Sequence, residues 1–171
     1  MSELQQRLIT TPIAQLRLVA SPRALVGVYF PDHRAASPPS YPEAGAHAIL
    51  DLAIAELNEY FAGTRRSFTI PLEPRGTEFQ RLVWAALTEI EFAGTRSYGQ
   101  LAAAIGRPRA VRAVGAANAR NPLSLVVPCH RVIGNDGALT GYAGGLERKR
   151  WLLAHELAHR PDAMFQLGSG F

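Results

Sequence analysis

Apolar residues in this chain first alternate and later recur at helical spacing. Leu16, Leu18 and Ala20 alternate, and Val26, Val28 and Phe30 alternate after Ser21-Pro22. Within residues 7–30 this predicts two short strands joined as a hairpin. Pro31, Pro38, Pro39 and Pro42 make residues 31–42 a loop. Over residues 43–62, Ile49, Leu50, Ala53, Ile54, Leu57, Tyr60 and Phe61 keep a three-to-four spacing, which predicts a helix stopped by Gly63. Phe68, Ile70 and Leu72 alternate as a further strand. Pro71, Pro74 and Gly76 then mark a boundary, so that residues 1–73 read as a small α+β unit.

The second unit is mostly helical. Thr77 and Gln80 form a capping-box pattern that opens a helix to about Ile90, with Phe79, Val83, Trp84 and Leu87 inward. Ser97 and Gln100 repeat the pattern and open a helix to about Ile105, which Gly106 stops. Pro108, tolerated in a first turn, precedes a third helix over about residues 109–119. Two short helices across a Gly-containing turn are a helix-turn-helix or an ordinary αα-corner. Leu123–Val127 reads as a short buried strand, residues 133–143 as a loop or wing around Asp136-Gly137, and residues 146–159 as a last helix. Residues 158–171 read as a tail. No repeat is evident, and the apolar runs fall short of the roughly 18–20 residues of a membrane span. The sequence MSELQQRLITTPIAQ lacks the charged start and apolar core of a signal peptide, so a cytoplasmic protein is expected.

Charge separates the two units. Residues 1–75 carry seven Arg and seven acids, whereas residues 76–157 carry ten basic and six acidic residues, the whole net excess of +4. Residues 92–135 hold six Arg and no Asp or Glu. Such a stretch is a polyanion-binding surface or a solvated basic face. On a helix over 109–120, Arg109, Arg112, Ala113, Ala116 and Arg120 fall on one side and Val111 and Val114 on the other. Arginines separated by small residues would let the helix backbone approach a groove closely.

Cys129 is the chain's one cysteine, so an intramolecular disulfide and a multi-cysteine zinc site are excluded. His33, His47, His130, His155 and His159 show no ligand spacing, and no metal or other cofactor is expected. A lone cysteine is commonly a small buried hydrophobe. Its setting, Pro128-Cys129-His130-Arg131-Val132, also fits a nucleophile, with His130 as a base and Arg131 favouring a thiolate. On an extended chain the two neighbours point apart, so Cys129 and His130 would need a turn or a bridging water to communicate.

Pro128-Cys129-His130-Arg131-Val132-Ile133-Gly134 resembles the active-site motif of the O6-alkylguanine-DNA alkyltransferases, the methylated-DNA–protein-cysteine methyltransferases. Gly76-Thr77-Glu78-Phe79-Gln80, Ser97-Tyr98-Gly99, Ala113-Val114-Gly115-Ala116, Asn121-Pro122, Gly141-Tyr142-Ala143-Gly144-Gly145 and Trp151-Leu152-Leu153-Ala154-His155-Glu156 resemble further landmarks in order. The resemblance implies an α+β fold, with a ribonuclease-H-like domain over residues 1–73. A winged helix-turn-helix domain for DNA binding and alkyl transfer would follow over residues 76–157, then the 158–171 tail.

The implied activity is suicide repair. The protein, expected to be a monomer in solution, would bind double-stranded DNA through the minor groove and flip out the damaged base. It would move an alkyl group from O6 of guanine, and O4 of thymine, to Cys129, once per molecule. His130 would take the thiol proton through a water, and Glu156 would orient His130. Asn121 would hold the turn between the recognition helix and the Cys129 segment. Arg112 would enter the duplex, beside groove contacts from Arg109, Ala113, Ala116 and Arg120. Tyr98 would help rotate the nucleotide and hydrogen-bond the base. Tyr142 would stack on the alkylguanine, amides around Ala143 and Gly144 would meet O6, and the carbonyls of Cys129 and Val132 would read the exocyclic amine.

The chain departs from some members of the family. It has Ala143 where some have Ser, and Asn118 where some are more apolar, which leaves the groove contact there open. It also lacks the cysteines of an N-terminal zinc site. Clustering on DNA stays open. A non-catalytic damage sensor or winged-helix regulator would use only the arginine face, and a cysteine hydrolase would not need that face.

Overall fold

A computed structural model describes residues 3–32 and 39–161. Part of the proline-rich loop (33–38) and most of the tail (162–171) lie outside the described residues. Three antiparallel strands, β1 (Gln5–Thr10), β2 (Gln15–Ala20) and β3 (Leu25–Tyr29), form a sheet in chain order. The expected hairpin is β2–β3, with Leu18 opposite Val28 and a register shift at Val19/Ala20. Strand β1 went unpredicted because QQRLIT does not alternate. It is held at the sheet edge by backbone pairing to β2, with Leu8 opposite Arg17.

Leu16, Leu18, Leu25 and Val28 on the sheet pack against Leu50, Ala53, Leu57 and Tyr60 of α1 (Ala48–Phe61). That helix starts later than residue 43. Gln6 of β1 donates its N–H to the Pro42 carbonyl and accepts from Ala44 N–H, both at 2.9 Å, so this segment lies along β1 instead. His47 caps α1, its Nδ1 accepting the Leu50 N–H at 3.3 Å.

The strand expected at residues 68–72 is not formed; only Leu72 bridges to Leu25. The buried Glu56 carboxylate takes the Thr69 N–H at 3.1 and 3.0 Å and the Ile70 N–H at 3.3 Å, so these donors are not free for a ladder. The strand expected at Leu123–Val127 is also absent. These residues are buried but curl into turns, with Val127 N–H on the Leu123 carbonyl at 2.9 Å and Leu125 at φ +74°.

Both capping boxes form, at Thr77/Gln80 opening α2 (Glu78–Thr88) and at Ser97/Gln100 opening α3 (Tyr98–Ala104). Helix α4 (Val111–Ala119) starts two residues later than expected. Arg107–Ala110 close a turn first, with Ala110 N–H on the Arg107 carbonyl at 2.9 Å, so Pro108 precedes the helix. Trp84 of α2 anchors α4 by donating Nε1–H to the Ala117 carbonyl at 2.8 Å.

Two-residue strands β4 (Arg96–Ser97) and β5 (Val132–Ile133) pair in parallel, tying the Cys129 segment to the start of α3. The loop at 134–138 turns at Gly137, φ +81°, as its Asp-Gly pair predicts. Helix α5 (Leu146–Ala158) completes the fold. One hydrophobic cluster runs from the sheet through α1 to Trp84, Leu123 and Leu152. Among the described residues no helix is long and apolar enough to cross a membrane.

Candidate active site

Cys129 opens a single 3₁₀ turn, Cys129–Arg131, which β5 follows directly. At three residues per turn the side chains splay in three directions. Cys129 and His130 are therefore close in the chain yet aim differently, and both are buried. His130 Nε2 lies 2.6 Å from Glu156 Oε2. An ionised carboxylate only accepts, so Nε2 carries the proton and Nδ1 is the basic nitrogen of the neutral ring. That Nδ1 is buried and has no protein partner among the described residues.

Glu156 is held on every side. It accepts from His130 Nε2 (2.6 Å), Tyr60 Oη (2.7 Å), Arg131 Nε (2.8 Å) and Nη2 (3.1 Å), and Ala93 N–H (3.1 Å). Ala93 reaches it from a left-handed backbone, φ +64°. Burial alone would raise the Glu156 carboxyl, but hydrogen bonds from His130 and Arg131 and their charges hold it well below the usual range. Arg131 donates its third contact to the Ile90 carbonyl at 2.6 Å. Its guanidinium is thus spent on Glu156 and Ile90, a correction to the expectation that it favours the Cys129 thiolate.

The cation coupled to Cys129 is Lys149 of α5. It is fully buried, and its ammonium donates to the Val132 carbonyl at 2.5 Å and the Thr140 carbonyl at 2.9 Å. Burial pulls Lys149 down to about 8, against the attraction of Cys129. Burial pushes the Cys129 thiol up to about 11, and the Asn121 amide and Lys149 only partly offset it. Burial also lowers His130, outweighing Glu156. The resting site therefore holds a neutral thiol, a neutral imidazole and a carboxylate.

Asn121 closes the preceding turn, donating Nδ2–H to the Val127 carbonyl at 2.8 Å and accepting Leu123 N–H at 3.0 Å. Asn118 points inward, not to a groove: it is buried, with Nδ2 3.5 Å from the Cys129 carbonyl. Tyr142 and Ala143 are buried, and Tyr142 meets Phe30 edge-on at 5.7 Å and His130 at 6.5 Å between ring centres. Gly144 is required where it stands, since a Cβ there would lie 2.7 Å from the Phe30 ring. Tyr98, half-buried beside Gly115 of α4, accepts from Thr140 Oγ1 at 3.0 Å, which leaves its own hydroxyl proton free to donate. Arg109, Arg112, Ala113, Ala116 and Arg120 are all exposed along α4 and its flanks.

Sequence reasoning missed Tyr60, the Ala93 N–H and Lys149. Tyr60 was legible only as part of a helical apolar stripe. Lys149 did carry a signal: it is the one lysine among 18 basic residues.

The family profile described as "6-O-methylguanine DNA methyltransferase, DNA binding domain" matches residues 78–158. A methylated-DNA–protein-cysteine methyltransferase of Mycolicibacterium paratuberculosis is 56% identical over 112 residues, 66% of this chain and 68% of the relative. One of Methanosarcina barkeri is 55% identical over 104 residues, 61% of this chain and 66% of the relative. Among solved structures, Mycobacterium tuberculosis OGT in complex with DNA superposes with a TM-score of 0.84 at 44% identity, covering 92% of this chain and 95% of that one.

Proposed function

The chain belongs to the 6-O-methylguanine DNA methyltransferase family, repairing DNA by alkyl transfer to a cysteine, and from this we propose that Cys129 is the acceptor and His130–Glu156 its base. The observation that carries this reading is the fully buried His130–Glu156 pair at 2.6 Å, beside the chain's one thiol. Duplex DNA lies with its minor groove on α4, where Arg109, Arg112, Ala113, Ala116 and Arg120 face out. The damaged base is flipped between Tyr142 and the Cys129 turn, and Arg112 fills the gap it leaves.

The Cys129 thiol gives its proton, through a water, to His130 Nδ1, and Glu156 stabilises the imidazolium. Ionising a thiol at about 11 costs about 5 kcal/mol at pH 7, so a base is needed. The sulfur pair forms the new S–C bond as the C–O6 bond breaks, and that pair leaves on the base, to which Tyr98 donates. The thioether does not turn over, so each molecule acts once. The amides of Ala143 and Gly144 meet O6. The carbonyls of Cys129 and Val132 read the exocyclic amine; that of Val132 also holds Lys149. We assign this work to residues 76–157 and a scaffold role to residues 1–73, in a monomer acting in the cytoplasm.

The test is intact mass after incubation with a duplex carrying O6-methylguanine, followed by peptide mapping. One added methyl, on the peptide containing Cys129, is expected; no gain, or a methyl elsewhere, overturns the assignment. Arg112→Ala is expected to slow transfer from duplex DNA about tenfold, the scale of one lost DNA contact. Reaction with free O6-benzylguanine should stay within about twofold, since a free base has no groove contact. Equal losses on both substrates would remove Arg112 from that role.

A further inference from the structure

Glu156 Oε2 serves two partners besides Arg131: His130 Nε2 at 2.6 Å and the Tyr60 hydroxyl at 2.7 Å. Tyr60 stands on α1, 96 residues away in sequence and outside the segment matched by the family profile. We infer that Tyr60 is a positioning residue for alkyl transfer, its hydroxyl holding the Glu156 oxygen on which His130 leans and so setting how readily His130 takes a proton. This rests on His130 being the base for Cys129.

The geometry argues for more than packing. The Tyr60 ring is fully buried, 5.3 Å from Phe61, 5.8 Å from Phe68 and 6.1 Å from Phe92, centre to centre. A phenylalanine would satisfy that apolar setting without a polar atom to bury. The hydroxyl instead meets the one carboxylate oxygen that His130 uses. Its carbonyl also accepts from His155 Nε2 at 2.8 Å, so α1 and α5 are fixed against each other on both sides of the ring. Burial, with the Glu156 charge and hydrogen bond, raises the Tyr60 hydroxyl, which stays a donor throughout the working pH range.

The sign follows from competition for one oxygen. A donor on Oε2 withdraws negative charge that would otherwise stabilise protonated His130. The other groups facing this cluster are Arg131 and Cys129 on the turn, Lys149 on α5 and Tyr142 on the following loop. None of these donates to Oε2 except Arg131. Without the Tyr60 hydroxyl, Glu156 leans more fully on His130 and the imidazole binds its proton more tightly.

The experiment uses the full chain. In Tyr60→Phe, which keeps the ring, the ¹⁵N NMR titration of His130 is expected to move up by about one unit, the scale of one charged hydrogen bond. The acid limb of the single-turnover rate should move up with it, with duplex affinity unchanged. Substituting 3,5-difluorotyrosine at position 60 keeps ring and hydroxyl but strengthens the donor, and must move the His130 titration the other way. A titration unmoved in both proteins overturns the inference, as does a shift of the same sign in both. Should Tyr60→Phe not fold, the fluorinated protein alone decides by the direction of its shift. Failure of the wild-type protein to acquire a methyl would instead overturn the assignment of Cys129, and the NMR titration reads Tyr60 independently of that.

Discussion

Alanine at position 129 is expected to give a folded protein that engages alkylated DNA and never gains a methyl group. The thiol is buried and, with its proton held up to about 11, carries no charge in the resting state. Removing it deletes one sulfur from a packed interior and breaks no ion pair. The cost should be about 1 kcal/mol, a fall of about 2–4 °C in the thermal midpoint at this chain length. Chemistry and folding are thereby separated: intact mass should show no methyl, while the melt stays cooperative and close to wild type. A methyl acquired by this variant would place the acceptor elsewhere.

Glu156→Ala should lose both chemistry and stability. The carboxylate is the shared partner of His130, Arg131, Tyr60 and the Ala93 N–H. Its removal leaves the buried Arg131 guanidinium on Ile90 alone, without its counter-charge, and the Tyr60 hydroxyl and Ala93 N–H without their acceptor. Breaking a buried pair from one side costs about 3–5 kcal/mol, which a urea melt would read directly. Transfer should fall by about 10³–10⁴-fold, as when the acid of a triad is lost. A variant as stable as wild type would show the network to be dispensable to the fold. The same network sets the acid response. Folding lowers Glu156 from 4.5 and His130 from 6.5, so the unfolded chain binds more protons in acid. The contribution of His130 is complete above 6.5 and is lost as pH falls below it. That of Glu156 is complete above 4.5 and is lost in stronger acid. Urea midpoints should therefore decline from neutral pH downward in wild type, and less steeply in Glu156→Gln.

What could be read in advance follows the range over which the determining forces act. The capping boxes at Thr77 and Ser97 are local, with donor and acceptor three residues apart, and both formed as the sequence predicts. The exposed arginine face of α4 follows from helical period alone. The strand expected at 68–72 failed because Glu56, more than ten residues earlier, captured its backbone donors. Residues 123–127 are as buried as their composition predicts, yet Leu125 at φ +74° makes them a turn. At the site, Cys129, His130 and Glu156 were legible through a contiguous motif and its landmarks. Tyr60 was not, because a tyrosine in an apolar helix stripe looks the same whether its hydroxyl meets water or a carboxylate. Arg131 was misread for a related reason: adjacency in sequence to Cys129 does not fix which way a side chain points on a 3₁₀ turn.

The burial of Lys149 reaches beyond the site. It is the chain's only lysine and is fully buried, while the basic surface is built of arginine. The folded protein therefore presents no side-chain amine to solvent. Succinimidyl dyes, reductive methylation and acetylation act on amines and leave guanidinium groups untouched, so the exposed arginine charge of α4 and its flanks is beyond their reach. Lysine-directed labelling would instead report unfolding, because Lys149 becomes available only when α5 separates from the Cys129 segment.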